Sequence, residues 1–316
     1  MRFLNKIILC ALCSFSILAT DSVAKKKIGI ISFSSETRYE NATQGFLEVL
    51  KKNGFDENKV SIIKENAGAN KAQVIEIINK FKTEKLDLIY SIGTSSTTLI
   101  ASEITDTPVV FAIVYNPIES GIAKSWKSSG NNTTGISVYI PMDKVLAPLS
   151  HFPSLKKLAV LYTPNEKNSE SQLKDIQASV QNKLVIIPVP LTNKEDIDVL
   201  LPEILRTSDA LYVTGSNVVN KEISLITEMA MKAKVVTITH LDDLVTKGVL
   251  IGVSSNSKSM GEIAGTKAVK ILRGTKPKDI PIDIPKNIQI LFNEKKSKEG
   301  HFIIPENFLK TVTIKL

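Results

Sequence analysis

Short apolar runs alternate with amphipathic segments along most of the chain. In the first half, runs of strand length predict strands at Lys27–Ser32, Val60–Lys64, Leu86–Ile92, Val109–Val114 and Thr134–Ser137. The segments between them carry apolar residues at helical spacing and predict helices at Glu40–Asn53, Lys71–Phe81 and Ser95–Glu103. Strands that alternate with helices through short connections favour right-handed crossovers and a mostly parallel sheet.

The same alternation starts again after Met142. It predicts strands at Lys157–Tyr162, Leu184–Val189, Ala210–Thr214, Val235–Thr239 and Val249–Val253, then a helix at Met260–Arg273 and a strand at Gln289–Asn293. The segments Tyr90–Ser95 and Tyr212–Asn217 are alike, since both pass from an apolar strand into Gly and then into hydroxyl or amide residues. A chain of 316 residues is also longer than a domain built on one small hydrophobic core. The sequence therefore predicts an α/β protein with two Rossmann-like lobes, each built on a parallel sheet.

The first 24 residues have the pattern of an export signal. Arg2 and Lys6 stand at the start, the apolar run Ile7–Ala19 follows, and Ser22–Ala24 fits a small-residue cleavage site. A membrane anchor is the alternative, but a spanning helix needs about 20 apolar residues and this run is shorter. We therefore expect an exported protein that is cleaved after Ala24.

Cysteine positions and charge narrow the classes of function further. Leu precedes both Cys10 and Cys13, whereas a lipid-attached cysteine needs a small residue there, and cleavage would remove both thiols. The formal net charge of +8 would suit a nucleic-acid partner. The lysines are scattered, however, and interleaved with acidic residues, as in Glu294–Glu299. A solvated surface is the stronger interpretation, and no nucleic-acid partner is expected.

Polar, mostly uncharged loops follow several of the predicted strands. The carboxyl ends of parallel strands meet at one edge of a sheet, where ligands bind. The candidate ligand-binding residues in these loops are Ser34, Ser35, Thr94, Ser95, Ser96, Tyr115, Asn116, Ser137, Tyr139, Ser216 and Asn217. Helix capping explains any single loop equally well, because Ser, Thr and Asn cap helices. Taken together the loops favour a shared crevice, in which Thr94, Ser95 and Ser96 at a helix start would hold an anionic or polar group.

The second half adds candidates in two more turns. In the first turn they are Glu166, Asn168 and Ser169. Glu166 is expected to contact a ligand or the opposite lobe, while Ser169 is better explained as the cap of a helix that runs to Gln181. His240 and Asp242 come directly after a predicted strand and complete the candidate ligand-binding set.

Little in the sequence favours catalysis. The histidines that follow the leader, His151, His240 and His301, lie on different predicted elements. One His beside one Asp, without a positioned nucleophile, is weak evidence for an enzyme. Metal-ligand spacing, a Gly-rich dinucleotide motif and a phosphate-binding loop are absent from the sequence. We therefore expect no enzymatic activity, no cofactor and no metal site.

Several segments carry a resemblance to a known family. Val114–Pro117 ends a strand in a Val-Tyr-Asn-Pro turn, and Gly130–Ser137 reads Gly-Asn-Asn-Thr-Thr-Gly-Ile-Ser. Both are similar to segments of the periplasmic substrate-binding proteins of ABC importers, in the branch that includes tryptophan- and tyrosine-type binders. Further matches are Tyr162–Ser169, Gly248–Leu250, Met260-Gly261, Lys270–Pro277 and Ile303–Pro305.

This resemblance implies a type I periplasmic binding fold, with two lobes joined by a multi-stranded hinge. It implies that residues 25–138 and 254–280 form lobe 1, and that residues 139–253 and 281–316 form lobe 2. The implied function is the capture of a small organic solute in the interlobe cleft by a periplasmic monomer, which delivers it to an ABC permease in the inner membrane. A ligand sensor that serves a membrane kinase or chemoreceptor is an alternative, and a hydrolase on Rossmann-like lobes is a third.

The chain also departs from the amino-acid binders of that branch. They commonly have Asp before the proline, where this sequence has Asn116, and another Asp where it has Ser216. The stretch Ser254–Lys258 lacks their Asp-Tyr-Tyr. An ammonium group without a buried carboxylate partner binds poorly. The resemblance therefore supports the fold more strongly than it supports an aromatic amino acid as the ligand.

Overall fold

Five parallel strands form the first sheet. The computed structural model describes residues 24–180 and 184–316. Its first strands are β1 Lys26–Ser32, β2 Val60–Asn66, β3 Leu88–Ile92, β4 Val109–Val114 and β5 Thr133–Ser137. They lie in the order β2-β1-β3-β4-β5, and every neighbouring pair is parallel. The helices that connect them are α1 Thr37–Lys52, α2 Lys71–Thr83 and α3 Thr94–Glu103.

The second sheet has seven strands in the order β12-β11-β10-β9-β8-β6-β7. They are β6 Lys157–Tyr162, β7 Val185–Pro190, β8 Ala210–Val213, β9 Val236–Thr239, β10 Ile251–Ser254, β11 Gln289–Phe292 and β12 Ile314–Lys315. Only β10 and β11 pair antiparallel. The helices of this half are α4 Met142–Leu146, α5 Lys167–Ser179, α6 Lys194–Thr207, α7 Asn217–Lys221, α8 Ile223–Lys232 and α9 Asp242–Thr246.

Helix α10, Ser257–Leu272, leaves the second sheet and packs on α1 beside the first sheet. The two helices approach so closely that a Cβ at Gly261 would overlap the carbonyl oxygen of Ala42. After α10 the chain pairs at Asp283 with Ile136, and then returns to the second sheet as β11. Helices α11 Glu294–Glu299 and α12 Glu306–Leu309 follow.

We call the first sheet with α1, α2, α3 and α10 lobe 1, and the second sheet with its helices lobe 2. Three chain segments pass between the lobes: from β5 to α4, from β10 to α10, and from Asp283 to β11. The predicted α/β class with two mostly parallel sheets is confirmed. The residue boundaries of the lobes given above stay a prediction.

The apolar runs of the central strands bury both of their faces. In β6, Leu158 and Val160 belong to one apolar cluster and Ala159 and Leu161 to another, and all four are fully buried. Helices cover both faces of a parallel sheet, so its central strands are apolar at every position rather than at every second one. This explains why short unbroken apolar runs predicted the strands.

Helix α1 begins three residues before the predicted start at Glu40. Glu36, rather than one of the preferred capping residues, stands at the cap position with extended backbone angles, and its side chain makes no cap hydrogen bond. The earlier start places Arg38 and Tyr39 in the first helical turn, beside the carboxyl ends of the strands.

Two parts of the sequence-based prediction lie outside the described residues. These are the leader, apart from Ala24, and Gln181 at the predicted end of the helix that is observed as α5. None of the helices in residues 24–180 and 184–316 has both the length and the apolar character that a membrane span requires.

Candidate functional site

The carboxyl ends of the two sheets face each other across a cleft that is nearly closed. A cavity of about 20 Å³ lies between the lobes. Lobe 1 contributes Arg38, Tyr39, Thr94, Ile113, Tyr115 and Val138 to its wall, and lobe 2 contributes Asn168, Gln172, Gly215, His240 and Leu241. We call it the interlobe cavity. Its size suits one water-sized group.

A buried ion pair joins the lobes beside this cavity. Arg38 Nη1 lies 3.0 Å from both carboxylate oxygens of Asp243, and the two side chains are 3% and 2% exposed. Arg38 Nη1 also donates to Asn220 Oδ1 at 3.3 Å, and Glu36 lies 3.7 Å from the guanidinium. Burial disfavours the positive charge, but Asp243 and Glu36 outweigh it and raise the pKa of Arg38. The guanidinium is therefore charged and paired.

An aromatic series crosses from lobe 1 to lobe 2. Successive ring centroids are 5.9 Å apart from Trp126 to Tyr139, 5.5 Å from Tyr139 to Tyr115, 5.4 Å from Tyr115 to His240, and 6.3 Å from His240 to Tyr212. The Tyr115 hydroxyl donates to Asp175 on α5 at 2.8 Å. These contacts hold lobe 1 against lobe 2, and two of the rings, Tyr115 and His240, also line the interlobe cavity.

His240 is neutral in this setting. It is 2% exposed, and burial followed by the nearby charge of Arg38 lowers its pKa to about 3. Its Nδ1 lies 2.8 Å from the Tyr212 hydroxyl, whereas its Nε2 is buried with no hydrogen-bond partner among the described residues. A neutral imidazole in the cavity wall can hydrogen-bond a ligand without adding charge.

Glu166 is buried and bonds to Asn217, which lines a second, wider cavity. Its carboxylate accepts from the backbone N–H of Asn217, with N···O distances of 3.1 and 3.2 Å, and from the Asn217 side-chain amide. Burial raises the pKa of Glu166 to about 7 against the effect of these bonds. Asn217 also lines an open cavity of about 610 Å³, together with Ser34, Ser35, Glu36 and Lys221.

The predicted Thr94–Ser96 cradle is only partly directed at the cavity. Thr94 lines the interlobe cavity, and its Oγ1 accepts from the Tyr115 N–H at 3.3 Å. Ser95 is half-buried. Ser96 is fully buried and donates to the carbonyl oxygens of Ile92 and Gly93, at 2.9 and 3.2 Å, so its hydroxyl serves the start of α3.

Other candidate side chains are engaged in local structure. Asn116 Oδ1 accepts from the N–H groups of Ile118 and Glu119, which shapes the turn after β4. Ser137 donates to the Tyr115 carbonyl oxygen at 2.5 Å, and Ser216 accepts from Val219 N–H at 3.3 Å as the cap of α7. For these three residues a direct ligand contact stays a prediction.

The remaining candidates lie around the cleft rather than in the interlobe cavity. Ser34 donates to Glu36, and Ser35 accepts from Asn66 at 3.0 Å, both at the wider mouth. Asp242 Oδ2 accepts from Ser257 N–H at 2.9 Å, so it fastens lobe 2 to the first turn of α10. The structure thus brings four candidates, Thr94, Tyr115, Asn168 and His240, together around the interlobe cavity, and the other candidates lie elsewhere.

Sequence reasoning missed the groups that carry charge across the cleft. Arg38 and Tyr39 were overlooked because the predicted helix began after them. Asp243 stands beside the predicted Asp242, and nothing in the local pattern showed which of the two faces Arg38. Asp175 lies on α5, where a single acidic residue looks like part of a solvated face. Within the described residues, no group of three His, Cys, Asp or Glu side chains could hold a metal ion.

Solved structures share this architecture. A Streptococcus pneumoniae ABC domain in complex with L-Trp superposes with a TM-score of 0.87 at 23% identity, over 93% of this chain and all of that one. The ligand-free, open structure of a Clostridium difficile substrate-binding protein with adhesive properties gives a TM-score of 0.72 at 28% identity, over 92% of this chain and 98% of that one. The fold is therefore that of the type I periplasmic binding proteins, as the sequence predicted.

Sequence similarity leads to the same group of proteins. A tyrosine-binding protein of Clostridioides difficile is 27% identical over 278 residues, which are 87% of this chain and 81% of that protein. The sequence profile described as "ABC transporter substrate binding protein" matches residues 27–314. Proteins of this kind are extracytoplasmic, and they bind a small-molecule solute for an ABC permease. The chain therefore belongs to the family of ABC transporter substrate-binding proteins.

Proposed function

We propose that this protein captures a small organic solute with a polar or anionic end between its two lobes and hands it to an ABC permease of the inner membrane. The interlobe cavity carries the proposal, because both lobes contribute lining residues and only an approach of the lobes completes it. Each lobe alone would present half of a binding surface. Binding energy and lobe closure are therefore coupled.

The cleft must open to admit any such solute. The interlobe cavity of about 20 Å³ holds one small group, whereas solute sites in proteins span about 300–1,000 Å³. Opening would break the Arg38–Asp243 pair and the Tyr115–Asp175 hydrogen bond, which join the lobes. The three connecting segments would act as the hinge.

The charges in the wall favour a polar or anionic end of the solute. Arg38 is the single ionic side chain among the residues that line the interlobe cavity. Its positive charge is neutralised by Asp243, which does not line the cavity. To form an ion pair here, an ammonium group of the solute would have to displace Arg38 from Asp243. A carboxylate would have to displace Asp243 from Arg38. A zwitterion could do both, so the amino acids named for the relatives are the first solutes to test.

Export to the periplasm, cleavage after Ala24, a monomeric state and the absence of catalysis belong to the same proposal. The apolar leader after Arg2 and Lys6 supports export, and the scattered positions of the histidines support binding without turnover. Surface residues at the rims of both lobes would contact the permease, so that the closed form is the one delivered.

Ligand capture tests the proposal directly. The protein purified from its native compartment is examined by native mass spectrometry, and the ligand-stripped chain is screened by thermal shift against amino acids, nucleosides, sugars and organic acids. We expect a saturable ligand that is recovered chemically unchanged. Conversion of the ligand would indicate an enzyme. Normal solute uptake in a deletion strain, with loss of a transcriptional response, would indicate a sensor.

A further inference from the structure

Two unpartnered polar atoms are buried in the wall of the interlobe cavity. They are His240 Nε2 and Asn168 Oδ1, and neither has a hydrogen-bond partner within residues 24–180 and 184–316. Buried polar atoms in proteins are rarely left without a partner, because each such group loses its hydration and gains nothing in return. Two in one wall therefore point to a group that binds there.

Tyr212 fixes which hydrogen-bonding role His240 offers. The Tyr212 hydroxyl is buried, and its one partner among the described residues is His240 Nδ1, at 2.8 Å. If Nδ1 carried the proton, the buried phenolic O–H would have no acceptor. Tyr212 therefore donates to Nδ1, and in the neutral ring the proton sits on Nε2. His240 presents an N–H donor to the cavity.

Gly215 fixes the role of Asn168 in the same way. The Asn168 amide nitrogen donates to the Gly215 carbonyl oxygen at 2.8 Å. Turning the amide over would place two oxygens against each other, so the orientation follows from the hydrogen bond. Asn168 lines the cavity, and its Oδ1 is left as a buried acceptor without a partner among the described residues.

We propose that His240 and Asn168 form a subsite for an uncharged group that both donates and accepts a hydrogen bond, namely a hydroxyl or a primary amide of the solute. A carboxylate could accept from His240 but would repel the Asn168 oxygen. An ammonium could donate to Asn168 but would oppose the His240 N–H and the nearby charge of Arg38. The volume of about 20 Å³ matches one such group rather than a whole solute. This assignment rests on the proposed solute-binding function.

The tautomer of His240 can be tested without a ligand. In the chain labelled with 15N-histidine, we expect long-range 1H–15N spectra to show one ring protonated at Nε2 alone, from about pH 4 to pH 8, since burial keeps the ring neutral there. His240→Gln identifies that signal by removing it, and Tyr212→Phe should release the ring from the single tautomer. A ring protonated at Nδ1, or one that titrates in this range, would overturn the assignment.

The chemistry of the bound group is tested with matched probes. We use L-tyrosine against L-phenylalanine and L-glutamine against L-glutamate, because each pair differs in one hydroxyl or amide, and measure Kd by calorimetry. In at least one pair the first member should bind about tenfold tighter, and His240→Phe or Asn168→Leu should remove the preference. His151→Gln, a histidine outside the cleft, should keep it.

The outcomes separate this subsite from the broader function. If a solute from the wider screen binds but neither pair shows the preference, the subsite is wrong and the solute-binding function stands. If the order within a pair is reversed, the subsite is equally wrong. If no solute binds at all, both proposals fail.

Discussion

Arg38 and Asp243 are 205 positions apart in the chain, yet they form a buried ion pair that joins the two lobes. Nη1 of the arginine lies 3.0 Å from each carboxylate oxygen. The pair brings two buried opposite charges into contact where the lobes meet, and Glu36 and Lys247 each lie 3.7 Å from one of its members. The pair lies beside the interlobe cavity, so it must break when the cleft opens to admit a solute.

Substitution of Asp243 should strongly destabilise the folded protein in which the two lobes are in contact. Asp243→Leu takes the nearest carboxylate from the buried Arg38, and breaking a buried ion pair in this way lowers the free energy of unfolding by about 3–5 kcal/mol. Urea denaturation monitored by circular dichroism measures the change. The double variant Arg38→Met, Asp243→Leu is the matched control, because it removes both charges and should recover most of the loss. Equal stability of the single and double variants would contradict the buried pair.

Glu166 should make stability fall as the pH rises. Burial raises its folded-state pKa from 4.5 to about 7, so the stabilisation present below about pH 4.5 is lost as the pH rises through 7. The difference in unfolding free energy between Glu166→Gln and the wild type should grow by up to about 3 kcal/mol from pH 4.5 to pH 8. The control Gln73→Ala changes an exposed side chain on α2 that does not titrate, and it should give a constant difference.

His240 should act in the opposite direction and in a more acidic window. Its folded-state pKa is lowered from 6.5 to about 3, so the stability that it contributes is present above pH 6.5 and is lost as the pH falls towards 3. Between about pH 4.5 and 6.5 the two groups oppose each other. His240→Gln should therefore lose less stability than the wild type as the pH falls from 6.5 towards 3, measured by urea denaturation, and equal acid slopes of the two proteins would contradict this assignment.

A methyl group at Gly261 should force α1 and α10 apart. The added Cβ would overlap the Ala42 carbonyl oxygen, which belongs to the backbone and cannot rotate away. We expect Gly261→Ala to lower the unfolding free energy by about 1–3 kcal/mol, the usual range for overpacking. Thr266→Ala, at an exposed position on the same helix, is the control and should change it little. A Gly261→Ala variant as stable as that control would contradict the close approach.

Substitutions at Thr94 and Ser96 should have different effects, because we expect Thr94 to contact the ligand and Ser96 to stabilise the start of α3. Thr94→Val removes a hydroxyl that lines the interlobe cavity and should weaken binding of the best screened solute about fivefold to tenfold. Ser96→Ala should leave the affinity unchanged and lower stability by about 1 kcal/mol, because its hydroxyl bonds to the backbone of β3 and Gly93. Calorimetric Kd values that rise with Ser96→Ala and stay unchanged with Thr94→Val would contradict this division of roles.

The sequence by itself determined the order of strands and helices, the two-lobe α/β class and the family. Apolar runs such as Val109–Val114 had to become strands, because burial of both faces requires unbroken apolar side chains. The resemblance also predicted that α10 returns to lobe 1. In the structure, α10 packs so closely on α1 that only glycine fits at Gly261, opposite the Ala42 carbonyl oxygen.

Only the tertiary structure decided which polar residues face the cleft. Ser, Thr and Asn after a strand can cap a helix, shape a turn or contact a ligand, and their sequence patterns are the same. Side-chain direction separated Thr94, which faces the cavity, from Ser96 and Asn116, which bond to the backbone. Arg38 and Asp243 meet only when the lobes close, because their pairing depends on two surfaces that are distant in the chain. Local pattern contains no information about such a contact.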